Sequence, residues 1–171
     1  MLKSFKNINT FVFDIDGVLT DGSVLLTESG AMLRKMHVKD GYALQLAVKK
    51  GYRIIIISGG NTPESKLRLE KLGIQRIYMQ VENKLEKLQQ LANELGLNKD
   101  AILYMGDDIP DLDVMKYCGL ACCPADAVAE IKTISKYVSP VKGGAGCVRD
   151  VIEKVLKLQG KWKPDTHIPS K

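Results

Sequence analysis

Only two histidines occur in the 171 residues, which argues against histidine-based catalysis. The four cysteines lack C-x-x-C zinc spacing: Cys118, Cys122 and Cys123 surround a short apolar segment and Cys147 stands apart. Such thiols read as small buried hydrophobes held reduced, neither metal ligands nor nucleophiles. No apolar run approaches membrane-spanning length, and residues 1–10 lack the apolar core of a signal peptide. The expected location is therefore the cytoplasm, with no membrane partner. No basic run interleaves with aromatics, and the net charge of +5 comes from scattered residues. Nucleic acid is thus not an expected partner, whereas a mildly positive balance suits a small anionic metabolite. Internal repeats and low-complexity stretches are absent, and disorder is expected only in the tail after Gly160.

What is present reads as one α/β domain over residues 1–160 with a tail over 161–171. Apolar runs at 11–13, 53–57 and 102–105 have the character of buried parallel strands. Helical patterns alternate with them: about 40–50 before Gly51, about 62–72 before Gly73, and about 83–95 with Leu85, Leu88, Leu91 and Leu95 on one stripe before Gly96. A short strand near 77–79, another at 119–123, a helix near 128–135 and a last helix near 146–158 follow. Residues 23–27 and 31–36 flank Glu28-Ser29-Gly30 as a β-hairpin. This order predicts a Rossmann-like parallel sheet sandwiched by helices, with a small hairpin flap. In such sheets ligands bind beyond the carboxyl ends of the strands. Asp14 and Asp16, Ser58, and Asp107 with Asp108 all fall at those ends.

Each group has a chemical use and a plainer one. Asp14 and Asp16 leave the first strand two residues apart, ahead of Gly17; close carboxylates repel unless a cation or shared proton relieves them. Hard oxygen ligands of this kind suit Mg²⁺ beside a phosphate. Asp14 can attack phosphorus, Asp16 can protonate the departing alkoxide, and Asp107 can complete a metal site with Asp108 or Asp111. Ser58, Gly59 and the following helix start offer donors to phosphoryl oxygens, and Lys84 can hold nucleophile and phosphate by charge. Taken singly, an acidic turn, a serine turn and a surface lysine fit the same residues. His37 beside the hairpin reads as structural, and Trp162 fits either an anchor on a neighbouring subunit or an exposed tail residue.

Together, Asp14-x-Asp16-Gly17-Val18, Ser58-Gly59, Lys84 and Gly106-Asp107-Asp108-x-x-Asp111 resemble the haloacid dehalogenase superfamily phosphatases in order and spacing. The resemblance implies Asp14 as nucleophile, Asp16 as acid/base, and Ser58 and Lys84 on the phosphate. It also implies Mg²⁺ on Asp14, the Asp16 main-chain carbonyl and Asp107, with Asp108 supporting. The short interval between Asp16 and Ser58 has no room for a cap domain, so a neighbouring subunit is the expected lid. Residues 16–22, 38–42, 68–74, 143–149 and 158–161 further resemble the cap-less branch acting on 3-deoxy-D-manno-octulosonate 8-phosphate in lipopolysaccharide synthesis. That branch implies a homotetramer, with hairpins meeting at its centre and tails approaching a neighbour's site. Many relatives have arginine after the Ser/Thr-Gly pair where this chain has Gly60; Lys39, Arg68 or Arg149 are the candidates to hold the sugar-acid carboxylate instead. Phosphatases of nine-carbon ketoacids are the nearest alternative. A phosphoacceptor receiver domain is disfavoured, because the strand ending at Ser58 carries no aspartate. A non-catalytic regulatory role fits poorly with an intact acidic set.

Overall fold

The computed structural model describes residues 2–169; Met1 and the last two residues of the predicted tail, Ser170 and Lys171, lie outside the described residues. Six parallel strands form one sheet: β1 (Thr10–Phe13), β4 (Arg53–Ile57), β5 (Arg76–Tyr78), β6 (Ile102–Met105), β7 (Leu120–Cys123) and β8 (Tyr137–Val138). Their order is β5-β4-β1-β6-β7-β8, which puts β1 between β4 and β6. A separate antiparallel pair, β2 (Leu25–Leu26) and β3 (Met32–Leu33), is the hairpin flap. The helices are α1 (Leu2–Lys6), α2 (Val38–Lys49), α3 (Pro63–Lys71), α4 (Lys84–Leu95), α5 (Leu112–Tyr117), α6 (Ala129–Ile134) and α7 (Cys147–Leu158). Rossmann-like architecture is what the alternation of apolar runs and helical stripes predicts.

The sheet is covered on both faces because its strands alternate between two apolar layers. Phe11, Phe13, Ile54, Ile56, Leu103 and Met105 face one layer, packed by α1, α2 and α7. Val12, Ile55, Ile57, Ile102 and Tyr104 face the other, against α4, α5 and α6. All four residues of β1 are buried, as a central parallel strand requires. Helix α4 begins where Asn83 Oδ1 accepts from Glu86 N and stops at Gly96, which adopts the left-handed conformation.

The segment 38–42 ties two helices together. Asp40 is buried, and its Oδ1 accepts the Arg149 N–H at 2.7 Å in the first turn of α7. Its Oδ2 has no partner among the described residues, and burial pushes the carboxyl up to about 6. A carboxyl that binds its proton more tightly when folded contributes stability at low pH and loses it as pH rises through about 6. Urea midpoints of the wild type should therefore fall between pH 4 and 7, and Asp40→Asn should flatten that part of the profile; parallel profiles would refute the assignment.

Past Gly160 the chain does not wander. Trp162 packs edge-on to Tyr42, ring centroids 6.4 Å apart, with the Arg149 guanidinium over both rings. Asp165 N donates to Tyr42 Oη at 2.9 Å, and Lys49 pairs with the Asp165 carboxylate. Gln45 Nε2 reaches Pro169 O at 3.0 Å. The expectation of a disordered tail is corrected for its described part: aromatic and charged partners on α2 and α7, remote in sequence, give residues 161–169 a seat on their own chain.

Candidate active site

Strand order brings the chemistry together. β1, β4 and β6 are neighbours, so the residues just past their ends converge on one cavity of about 290 Å³. Asp14, Asp16, Ser58, Gly59, Gly60, Lys84, Asp107, Asp108 and Asp111 all border it. Lys39 does not; it is exposed at the start of α2. Arg68 borders an adjacent cavity of about 320 Å³ together with Arg34, Thr62 and Ser65.

The Asp14 turn is built by backbone. Asp14 N donates to Met105 O at 3.2 Å, and Asp14 Oδ1 accepts from Ile15 N at 2.7 Å. Thr20 N closes the loop onto Ile15 O at 3.0 Å. Gly17 has φ of +84°, and a Cβ there would sit 1.9 Å from Asp107 Oδ2, so the Asp107 carboxylate occupies the space a side chain would take. Gly143 braces the turn from behind: its own Cβ would lie 2.0 Å from Gly17 O, and Gly144 N donates to Val18 O at 3.0 Å. The second glycine pair, 126 residues downstream of Gly17, is thus a backbone clamp on the turn that follows Asp14.

Lys84 is the electrostatic centre. It is buried, and Nζ lies 2.8 Å from Asp14 Oδ2 and 2.8 Å from Asp111 Oδ1. Burial opposes its charge, but the two carboxylates outweigh that and raise its pKa. Asp111 Oδ1 also accepts from Tyr104 Oη at 2.7 Å, and its Oδ2 from Asp107 N at 3.3 Å. Asp111 therefore orients Lys84 and the Asp107 backbone.

Asp14, Asp107 and Asp111 each place a carboxylate oxygen within 4.8 Å of the others. Burial foremost, then the Asp111 charge, pushes Asp14 up to about 7 against the pull of Lys84. Asp107 rises to about 7 for the same two reasons, with Asp108 adding to it. Such crowding is what a divalent cation relieves, and the all-oxygen donor set fits Mg²⁺. Asp108, assigned to the metal from the sequence, is exposed at the rim and spends Oδ1 on the Ile109 N–H at 2.8 Å. Asp111, three residues on, is the carboxylate that the turn folds inward.

Ser58 is buried at the end of β4, its Oγ accepting from Gly60 N at 3.3 Å and keeping its own proton free to donate. The Asp16 carboxylate is gripped by Arg34. Sequence reasoning missed Arg34, because only the folded hairpin brings it to a residue 18 positions earlier.

The chain is similar in sequence and fold to several known proteins. A model of haloacid dehalogenase-like hydrolases matches residues 76–151. The 3-deoxy-D-manno-octulosonate 8-phosphate phosphatase KdsC of Escherichia coli K12 is 34% identical over 156 residues, covering 91% of this chain and 83% of that protein. A crystal structure of the Moraxella catarrhalis phosphatase of the same name, in complex with magnesium, phosphate and KDO, superposes with a TM-score of 0.90 at 31% identity, covering 93% of this chain and 91% of that one. The probable phosphatase of the YrbI family from Pseudomonas syringae gives 0.91 at 34% identity, covering 94% and 91%. The chain belongs to the haloacid dehalogenase superfamily, in the cap-less branch that contains these phosphatases.

Proposed function

We propose that the chain hydrolyses 3-deoxy-D-manno-octulosonate 8-phosphate to the free sugar acid and phosphate, through an aspartyl-phosphate intermediate, in lipopolysaccharide biosynthesis. The observation that carries the reading is the Asp14 carboxylate fixed by Lys84 on the floor of a cavity walled by Asp16, Ser58 and Asp107. In the first half-reaction Asp14 attacks phosphorus and the bond to the sugar oxygen breaks, while Asp16 gives that oxygen a proton. In the second, Asp16 takes a proton from water, whose oxygen attacks the phosphoryl group and returns Asp14. Lys84 and the donors at Ser58 and Gly59 hold the phosphoryl oxygens. Mg²⁺ would be held by Asp14, the Asp16 carbonyl and Asp107, and would supply positive charge between nucleophile and phosphate.

The neighbouring cavity supports an acidic sugar. Arg68 borders it, its buried Nε and Nη2 have no hydrogen-bond partner among the described residues, and neither has the buried Thr62 Oγ1. A carboxylate bound there would lie beside the Arg68 positive charge. Lys39 lines neither of these two cavities. The hairpin supports assembly: Leu25, Leu26, Met32 and Leu33 are all exposed, an apolar ridge that suits burial against copies of itself in a homotetramer. A neighbour seated there would also supply the missing lid.

The test is phosphate release from the eight-carbon and nine-carbon 3-deoxy-ketoacid phosphates. The eight-carbon ester is expected to be preferred by at least about tenfold in kcat/KM, the scale of one or two misplaced contacts. EDTA should abolish release and Mg²⁺ restore it. Equal kcat/KM would remove the substrate assignment, and EDTA-resistant turnover would remove the metal.

A further inference from the structure

Asp16, the proposed proton carrier, is held from outside its own loop. Arg34 follows β3 directly, with its side chain only 10% exposed although the rest of the hairpin juts into solvent. Its Nε donates to Asp16 Oδ1 at 2.6 Å and its Nη2 to Oδ2 at 3.2 Å, while Nη1 donates to Met32 O at 3.1 Å. Among the described residues, no other donor is recorded on that carboxylate. A two-point guanidinium grip fixes the plane of a carboxylate as well as its position, which a lysine cannot do. Room for the grip comes from residue 60. A Cβ on Gly60 would lie 3.2 Å from Asp16 Oδ2 and 3.8 Å from Arg34 Nη2, so a long side chain there would compete with the guanidinium for one place.

We propose that Arg34 is a positioning residue for the phosphatase reaction: it sets the Asp16 carboxyl at the angle from which Oδ2, beside Gly60, exchanges its proton with the reacting oxygens, and it ties the hairpin to the catalytic turn. The inference rests on the phosphatase reading above. In the first half-reaction the Oδ2 proton passes to the bridging oxygen as the phosphorus–oxygen bond breaks, and Oδ1 keeps its bond to Nε. In the second, a water proton returns to Oδ2. Gly60 and Arg34 form a pair in this account: the cation is supplied from the hairpin and the position after Ser58-Gly59 is left empty to admit it.

The experiment compares two leaving groups in the full-length enzyme with Mg²⁺. A sugar alkoxide needs a proton to depart, whereas p-nitrophenolate does not. Arg34→Ala is expected to lower kcat on the sugar phosphate by about 10- to 100-fold, as misplacing a proton donor does, with KM changed less than about threefold. The pre-steady-state burst of p-nitrophenolate from p-nitrophenyl phosphate, which reports attack by Asp14 alone, should stay within about threefold of wild type. Arg34→Lys should recover part of the loss, and Gly60→Arg placed in the Arg34→Ala background should recover more than Gly60→Ala does. An equal loss on both leaving groups, or a loss confined to KM, would overturn the proposal, since a collapsed site or a substrate ligand gives those patterns. Wild-type turnover is measured first and tests the phosphatase reading separately. If another alkyl phosphate proves the better substrate, the same comparison is made with it.

Discussion

Asp14→Asn should lower phosphate release by at least about 10⁴-fold, the scale on which removing a nucleophile acts. The amide keeps the shape but cannot attack phosphorus. The fold should survive intact, for a reason specific to this site. Burial and the Asp111 charge already hold the Asp14 carboxyl near 7, so its charged form gains little from the metal-free protein. A neutral isostere removes that repulsion, and Lys84 still has Asp111 as a partner at 2.8 Å. Loss of activity with a melting temperature at or slightly above wild type is the expected pair of results. Appreciable turnover by the variant would remove Asp14 from its role, and a collapsed melting temperature would contradict the electrostatic account.

Lys84→Met should behave in the opposite way, losing both activity and stability. The methionine fills the volume but leaves the Asp14 and Asp111 carboxyls buried without their cation. Breaking a buried pair by deleting one partner costs about 3–5 kcal/mol, a large share of the 5–15 kcal/mol that holds a typical domain together. That corresponds to a fall of roughly 6–20 °C in melting temperature for a chain of this size. The sign of the pH dependence follows from the groups left behind. Wild-type Lys84 has a raised pKa, so its contribution is present across neutral pH and is lost only in strongly alkaline solution. In the variant the deficit should shrink as pH falls towards about 7, because Asp14, which Lys84 no longer pulls down, holds its proton more tightly than in the wild type and the unneutralised charge disappears. Urea denaturation at pH 5 and pH 8 measures this; equal deficits at both values would contradict it.

The two variants separate what Lys84 and Asp14 do, and they show why so much of the site was legible before folding. Apolar runs of three to five residues at 11–13, 53–57 and 102–105 can hardly be anything but buried strands, and a parallel sheet gathers their ends. Asn83 and Gly96 bracket α4 by side-chain and backbone chemistry that is local, hence readable. Nonlocal features were not. Helix α1 spans five residues and β8 two, too short for any periodicity, and both exist because the finished sheet and α7 receive them. The hairpin strands contract to two residues each because little beneath them rewards longer pairing. Asp108 and Asp111 are equivalent on paper, and only the turn after Gly106 decides that Asp111 goes inward. Arg34 and Gly143 act across 18 and 126 residues, on Asp16 and Gly17 respectively, through contacts that no local pattern encodes.

The central claim is that Asp14 takes the phosphoryl group and Asp16 moves the protons. Asp16→Asn mixed with p-nitrophenyl phosphate and Mg²⁺ tests it most directly, because the leaving group needs no acid and the intermediate then lacks its base. The account predicts one equivalent of p-nitrophenolate per active site in a burst, followed by near arrest, with the phosphoryl group found by mass spectrometry on the peptide carrying Asp14. No burst, or a phosphoryl group on any other residue, would contradict it.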